Sequence, residues 1–142
     1  MINAVLDCGV VISGFGWAGN PRRCLDLVYA GQVLLCVSQD VWSEYTDKAP
    51  KVLAAHERNV DAEKELARLF RIAHFFDPAP LGKQRSRDIK DDRYLAAALA
   101  AKAEAIVTND RDLLVLRKPF GIAAMTPVEF INFVRAPGYP SK

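Results

Sequence analysis

Residues that hold soft metals or form disulfides are scarce in this chain. It has three cysteines, Cys8, Cys24 and Cys36, and two histidines among 142 residues. The cysteines are odd in number and show no CxxC spacing, which argues against a zinc site and against a disulfide framework. Free thiols fit a reducing compartment, so we expect a cytoplasmic protein.

Long apolar runs and an excess of one charge are also missing. No run approaches the roughly 18 apolar residues of a membrane span, and the N-terminus lacks the pattern of a signal peptide. The net charge is only +2, which excludes a uniformly basic nucleic-acid-binding surface but leaves room for a local basic patch. The length predicts one domain, residues 1–135, followed by a short C-terminal tail, residues 136–142.

Five short apolar segments predict buried β-strands that alternate with helices. The strands are expected at Ile2–Leu6, Val33–Val37, 72–76, Ala105–Val107 and 121–124. Helices are expected at 20–30, 38–49, 58–70, 91–103 and 127–134, with one helical turn at 113–116. Four glycines between positions 9 and 19 predict a loop after the first strand. The order indicates an α/β protein: a three-layer α/β/α domain with a central, mostly parallel five-stranded sheet.

Acidic residues follow the strands in a suggestive arrangement. Carboxyl ends of parallel strands share one edge of the sheet, and ligands bind outside that edge. Asp7 follows the first strand, Asp110 follows the fourth, and Glu44 lies in the helix after the second. Asp91 and Asp92 begin the helix before the fourth strand, and the amino end of that helix points to the same edge. The acids are therefore expected to converge.

Such a cluster suits Mg²⁺, which prefers oxygen ligands. Bound divalent ions activate water and neutralise charge on a phosphate. Each acid also has a structural interpretation, since Asp91 or Asp92 can cap a helix and Asp110 or Asp112 can cap the turn that follows. No histidine is needed: His56 lies in a polar stretch and His74 within a predicted strand, and neither is expected to be catalytic.

Four sequence blocks together resemble the PIN-domain nucleases, in particular the PIN-family toxin components of bacterial toxin–antitoxin systems, relatives of the VapC toxins. The blocks are VLDCGVVISG, GNPRRCLDLVYAG, VSQDVWSEY and RDIKDDRYLAAALAAKAEAIVTNDRDLL. The resemblance implies an α/β/α domain, cleavage of single-stranded RNA with Mg²⁺ or Mn²⁺, homodimers, and an antitoxin protein that covers the active site.

Carried over by position, the resemblance also implies the site residues. The catalytic acids are Asp7, Glu44, Asp91 or Asp92, and Asp110. All of these except Glu44 are implied metal ligands. The alignment leaves the choice between Asp91 and Asp92 open, and Asp112 is a weaker candidate.

One departure from the family pattern concerns the first motif. The family usually reads Asp-Thr-Asn, whereas this chain reads Asp7-Cys8-Gly9. Gly9 lacks the asparagine side chain that would hold the loop beside the metal site and loosens the backbone; Ser13 or Ser38 could substitute for it in part. The alternative function is therefore a catalytically impaired PIN-like domain that acts as an RNA- or protein-binding regulatory module.

Basic residues near the acids are candidate phosphate contacts, which would add affinity but little sequence selectivity. They are Arg22, Arg23, Lys83, Arg85, Arg87, Lys90 and Arg93. A solvated loop explains those between positions 83 and 90 equally well. Trp17 could stack on a base, or it could cap the core or join a protein contact.

Two other Asp-based families fit less well. A haloacid-dehalogenase-type phosphotransferase needs a second Asp two residues after the first, where this chain has Gly9. A response-regulator receiver needs a lysine after its last strands, and the segment AAMTPVEF has none.

Overall fold

The computed structural model describes residues 1–135, so the predicted tail lies outside the described residues. A five-stranded parallel sheet forms its centre, with strand order β3-β2-β1-β4-β5. The strands are β1 (Ile2–Leu6), β2 (Val33–Val37), β3 (His74–Phe75), β4 (Ala105–Val107) and β5 (Ala123–Met125). The predicted α/β class and five-stranded sheet are confirmed, and every pairing is parallel.

Helices flank the sheet on both faces. They are α1 (Cys8–Gly16), α2 (Asn20–Tyr29), α3 (Gln39–Ala55), α4 (Ala62–Phe70), α5 (Asp92–Ala101), α6 (Arg111–Leu114) and α7 (Pro127–Arg135). Helix α5 packs against β1, β2 and β4; α2 packs against β2, α7 against β4, and α2 and α7 pack together. Among the described residues, no helix combines the length and apolarity needed to cross a bilayer.

Strand β1 lies at the centre of the sheet and determines where a ligand can bind. The chain adds β2 and β3 on one side of β1, then returns to add β4 and β5 on the other. The strand order therefore reverses between β1 and β4. In open α/β sheets the crevice outside the carboxyl ends at such a point is the usual ligand site. Asp7 and Asp110 follow these two strands.

The glycine-rich segment after β1 is helix α1, so the predicted loop was wrong. Asp7 caps the helix by accepting a 2.9 Å hydrogen bond from the Val10 amide. Two of the glycines serve close packing rather than a turn. A Cβ on Gly14 would meet Leu25 Cδ1 at 2.5 Å, and one on Gly16 would meet Leu53 Cδ2 at 2.6 Å.

Several boundaries also differ from the prediction. Helix α3 continues past position 49 to Ala55 with Pro50 inside it, because Ala49 and Leu53 stay buried on its inner face. Helix α4 begins only at Ala62, where Asp61 caps it. Strand β3 has just two residues, both exposed, as suits the edge of a sheet.

The close contacts of Gly14 give a testable stability difference. We expect Gly14→Ala to lower the free energy of unfolding by about 1–3 kcal/mol, because the new methyl group must displace the buried Leu25 side chain. Gly9→Ala is the matched control, since its Cβ would meet only Asp7 Oδ1 at 3.6 Å. Urea denaturation measures both, and equal stability of the two variants would contradict the packing role.

Candidate active site

Asp7 is held rigidly at the end of β1. Its side chain is 8% exposed and accepts hydrogen bonds from the Val10 amide and from the Thr108 hydroxyl, which lies just after β4. Burial raises the pKa of Asp7, and the hydrogen bond from Thr108 opposes that rise. Asp7 thus presents a fixed carboxylate at the junction of the two central strands.

Thr108 connects Asp7 to the next acid. The Thr108 hydroxyl accepts a 2.8 Å hydrogen bond from the Asp110 amide while it donates to Asp7. Asp110 then caps α6 by accepting a 2.9 Å hydrogen bond from the Asp112 amide. The predicted capping role of Asp110 is therefore real, and it coexists with a place in the site because only one carboxylate oxygen is used.

Three carboxylates converge beside this connection. One oxygen each from Asp91, Asp110 and Asp112 lies within 4.8 Å of the other two. Asp91 Oδ2 is buried and has no hydrogen-bond partner among the described residues. Hard oxygen donors and an orphaned buried oxygen fit a divalent cation such as Mg²⁺. Asp112, ranked low from sequence, belongs to this group, whereas Asp7 lies next to it.

Asp92 points elsewhere. Its two oxygens accept hydrogen bonds from the backbone amides of Arg85 at 2.9 Å and Ser86 at 2.7 Å. Asp92 is buried, and it does not line the cavity that Asp7, Glu44, Asp91 and Asp110 line. Of the two adjacent candidates, Asp91 faces the acidic group and Asp92 holds the preceding loop, so the inclusion of Asp92 as a ligand does not fit this geometry.

Glu44 reaches the same cavity from α3 and is held by two partners that the sequence analysis missed. The Tyr94 hydroxyl donates a hydrogen bond to Glu44 Oε1, and Lys48 Nζ lies 2.8 Å from Oε2. Burial alone would raise the pKa of Glu44, but the hydrogen bonds from Lys48 and Tyr94 lower it below its ordinary range. Glu44 is therefore ionised at neutral pH.

Tyr94 also joins two elements of the site. Its hydroxyl oxygen accepts a 3.1 Å hydrogen bond from the Cys8 amide at the start of α1. The side chain is buried, and burial raises its pKa above the ordinary range. Two signals could have revealed these partners. Tyr94 follows Asp91 by three positions and Lys48 follows Glu44 by four, spacings that share a helix face.

The acids open into one concave cavity of about 680 Å³. Its walls include Asp7, Glu44, Asp91 and Asp110, so the predicted convergence of these four stretches is observed. The cavity extends along α1 and α3 as far as His56. This histidine, expected to be simply solvated, packs against Trp17.

The predicted RNA-contacting arginines lie around the cavity rather than in its wall. Arg87 Nε is 3.7 Å from Asp112, and Arg93 donates to the carbonyl oxygens of Lys90 and Asp40. The others have partners outside the cavity wall: Arg22 pairs with Asp26, Arg23 donates to Asn20, and Arg85 donates to Leu81 and lies over the Phe120 ring. The lysines that line the cavity are Lys48 and Lys90.

Comparison with protein families identifies the family to which the chain belongs. The family model described as PIN domain matches residues 3–112. The chain belongs to the PIN-domain family. PIN domains are typically metal-dependent nucleases, and the matched region contains all three converging carboxylates.

One solved structure supports the PIN fold over nearly the whole chain. The crystal structure of PAE2754 from Pyrobaculum aerophilum is similar at a TM-score of 0.62 and 14% sequence identity, over 95% of this chain and 90% of that one. At this identity the likeness concerns the fold alone. No curated protein matches the chain.

The acidic residues of this site should make the stability of the protein depend on pH. Burial and the nearby Asp110 carboxylate raise the pKa of Asp91 to about 7. Without divalent ions, we expect the free energy of unfolding to fall between about pH 4, where an unfolded-chain Asp titrates, and about pH 7. In this window the folded protein keeps a proton that the unfolded chain has released, so rising pH favours unfolding.

Urea denaturation in EDTA at both ends of this pH window measures the loss. Asp91→Asn should reduce it, since asparagine does not titrate. Part of the pH dependence should remain in Asp91→Asn, because the pKa of Asp7 is also raised. Identical pH dependence in the wild type and in Asp91→Asn would contradict the assignment.

Proposed function

We propose that the chain is an endoribonuclease that cleaves single-stranded RNA with Mg²⁺ or Mn²⁺. The observation that carries this proposal is the convergence of the Asp91, Asp110 and Asp112 oxygens, together with a buried Asp91 oxygen that has no hydrogen-bond partner among the described residues. Acidic residues from separate segments of the chain lie together at the topological switch point of the sheet and serve no packing purpose there. Their mutual repulsion lowers the stability of the protein unless a cation binds.

Each residue has a role in this proposal. Asp91, Asp110 and Asp112 would hold the ion, which when bound activates water and offsets charge on the scissile phosphate. Asp7 orients the site through Thr108. Glu44 lines the same cavity and is ionised, so it can accept a proton from an attacking water molecule.

The Gly9 departure does not favour the impaired alternative. A Cβ at Gly9 would have only Asp7 Oδ1 within 4 Å, so this position lies beside Asp7, and a Cβ here would not contact Asp91, Asp110 or Asp112. The amide-to-hydroxyl bond from Cys8 to Tyr94 and the cap on Asp7 hold the backbone here. An asparagine side chain is therefore not needed to keep the loop in place.

Incubation of purified protein with single-stranded RNA tests the activity. We expect cleavage with Mg²⁺ or Mn²⁺, none in EDTA, and none with Asp7→Asn, which keeps the oxygen that accepts from Val10. Duplex RNA of the same sequence is the matched substrate control. Cleavage that survives Asp7→Asn would come from a contaminant, and absence of cleavage by the wild type would favour the binding-module alternative.

We further propose that this nuclease is the toxin of a toxin–antitoxin pair and acts as a homodimer in the cytoplasm. The resemblance of its four sequence blocks to VapC-like toxins supports this role. Expression of the wild-type chain should arrest growth, whereas Asp7→Asn should not, and a small neighbouring gene should restore growth. Equal toxicity of the two chains would contradict the proposal. Size-exclusion chromatography with light scattering tests the dimer.

A further inference from the structure

One face of α3 leads away from the acids along the cavity. Glu44, Lys48, Val52 and His56 are spaced four residues apart, and all four line the cavity. Side chains four apart share a face of an α-helix. At 1.5 Å per residue the stripe runs roughly 18 Å from Glu44 to His56. Its chemistry changes in order from acidic to basic, apolar and aromatic.

Helix α1 provides the opposite wall with a matching stripe. Gly9, Ser13 and Trp17 follow each other at the same spacing, and all three line the cavity. Both helices start just after the carboxyl ends of neighbouring strands, β1 and β2, and they pack against each other. The small residues Gly9 and Ser13 leave the groove open near the acids, and the bulky Trp17 closes its far end.

Two side chains, Trp17 and His56, line the far end, and Arg58 contacts Trp17 there. Trp17 and His56 pack edge to face with ring centroids 5.5 Å apart. Arg58 places its guanidinium 5.1 Å from the Trp17 ring centroid and anchors there by a 2.9 Å hydrogen bond to the Gly16 carbonyl. His56 is exposed, and Trp17 is partly exposed. A partly exposed aromatic pair with an anchored cation is a surface on which a nucleic-acid base can stack.

We infer that the Trp17–His56 end of this groove is a base-binding subsite, which holds one unpaired base of an RNA strand whose backbone runs along α1 and α3 to the acids. The inference rests on the proposed function and deepens it. Lys48 lies a third of the way from Glu44 to His56; it pairs with Glu44, but its side chain is 50% exposed, so its charge is also open to an intervening phosphate. The subsite selects single strands, because a base paired within a duplex cannot turn its face to Trp17.

Binding of short fluorescently labelled single-stranded RNA, measured by anisotropy in an Asp110→Asn background with Mg²⁺, tests the subsite. The RNA is used intact and with one abasic nucleotide at each position in turn. We expect Trp17→Ala to weaken binding of intact RNA by about 5- to 150-fold. In the protein that keeps Trp17, an abasic nucleotide at one position should weaken RNA binding by a similar factor. In Trp17→Ala the same abasic nucleotide should cause no further loss of affinity.

Trp17→Phe and His56→Ala guard against misfolding. Trp17→Phe keeps an aromatic face and should retain most of the affinity. His56→Ala should weaken the binding of intact RNA, and its effect should be coupled to the same abasic position. Phe70→Ala removes an exposed aromatic outside the groove and should change nothing. Thermal unfolding checks that each variant is folded.

The outcomes separate this inference from the proposed function. RNA cleavage by the wild type without coupling between Trp17 and any base overturns the subsite alone. Coupled binding without cleavage by the wild type overturns the nuclease proposal alone and leaves the subsite supported. Absence of any RNA binding overturns both.

Discussion

Asp91→Asn is expected to lose about 100-fold or more of metal-dependent cleavage while it folds normally. Asp91 contributes one of the three converging oxygens, and its buried Oδ2 has no hydrogen-bond partner within residues 1–135. Asparagine keeps the size of the side chain but removes the charge that a cation needs. The same change relieves repulsion with Asp110, so without metal the variant should be at least as stable as the wild type at neutral pH.

Single-turnover cleavage and thermal unfolding with and without Mg²⁺ measure these effects. Mg²⁺ should raise the melting temperature of the wild type, because a ligand that binds only the folded state stabilises it. The rise should vanish in Asp91→Asn. Asp47→Asn is the matched control, since Asp47 pairs with Lys51 on the exposed side of α3. Wild-type cleavage by Asp91→Asn would remove this residue from the site.

Asp92→Ala is expected to lower stability, whereas Asp91→Asn lowers cleavage. The free energy of unfolding should fall by about 2–4 kcal/mol. The alanine variant leaves the amides of Arg85 and Ser86 without their charged acceptor, and the second of these hydrogen bonds is fully buried. Urea denaturation measures the loss. Asp92→Asn keeps one acceptor oxygen and should lose about half as much.

Mg²⁺ should still stabilise whatever folded protein Asp92→Ala retains. The Mg²⁺-induced rise in melting temperature therefore distinguishes the two neighbouring aspartates even where both variants cleave poorly. A variant that is as stable as the wild type but no longer responds to Mg²⁺ would show that Asp92 belongs to the metal site after all.

The sheet and the convergence of acids could be predicted because both follow from strand order. Once β1 and β4 are recognised as parallel strands, Asp7 and Asp110 must share an edge. The choice between Asp91 and Asp92 could not be made this way, since consecutive residues at a helix start differ by about 100° in direction. Only the position of the loop at Arg85 and Ser86 decides which one turns inward.

The missed helix α1 shows a different limit of the sequence. Glycine is the usual marker of a turn, yet Gly14 and Gly16 lie inside a helix because Leu25 and Leu53 come too close for any side chain. Such contacts join distant positions and leave no local pattern. The aromatic end of the groove was hidden for the same reason: Trp17 and His56 meet only when α1 and α3 pack together.

The hydrogen bond from the Thr108 hydroxyl to Asp7 also indicates when the site can form during translation. Thr108 and Asp7, which it connects, are 101 positions apart. Strand β1 leaves the ribosome before β4 but can meet it only after most of the described domain has been translated. Shorter nascent chains lack Asp110 and Asp112 altogether. A ribosome that makes this protein is therefore not exposed to a complete acidic site until the chain has been translated through Asp112.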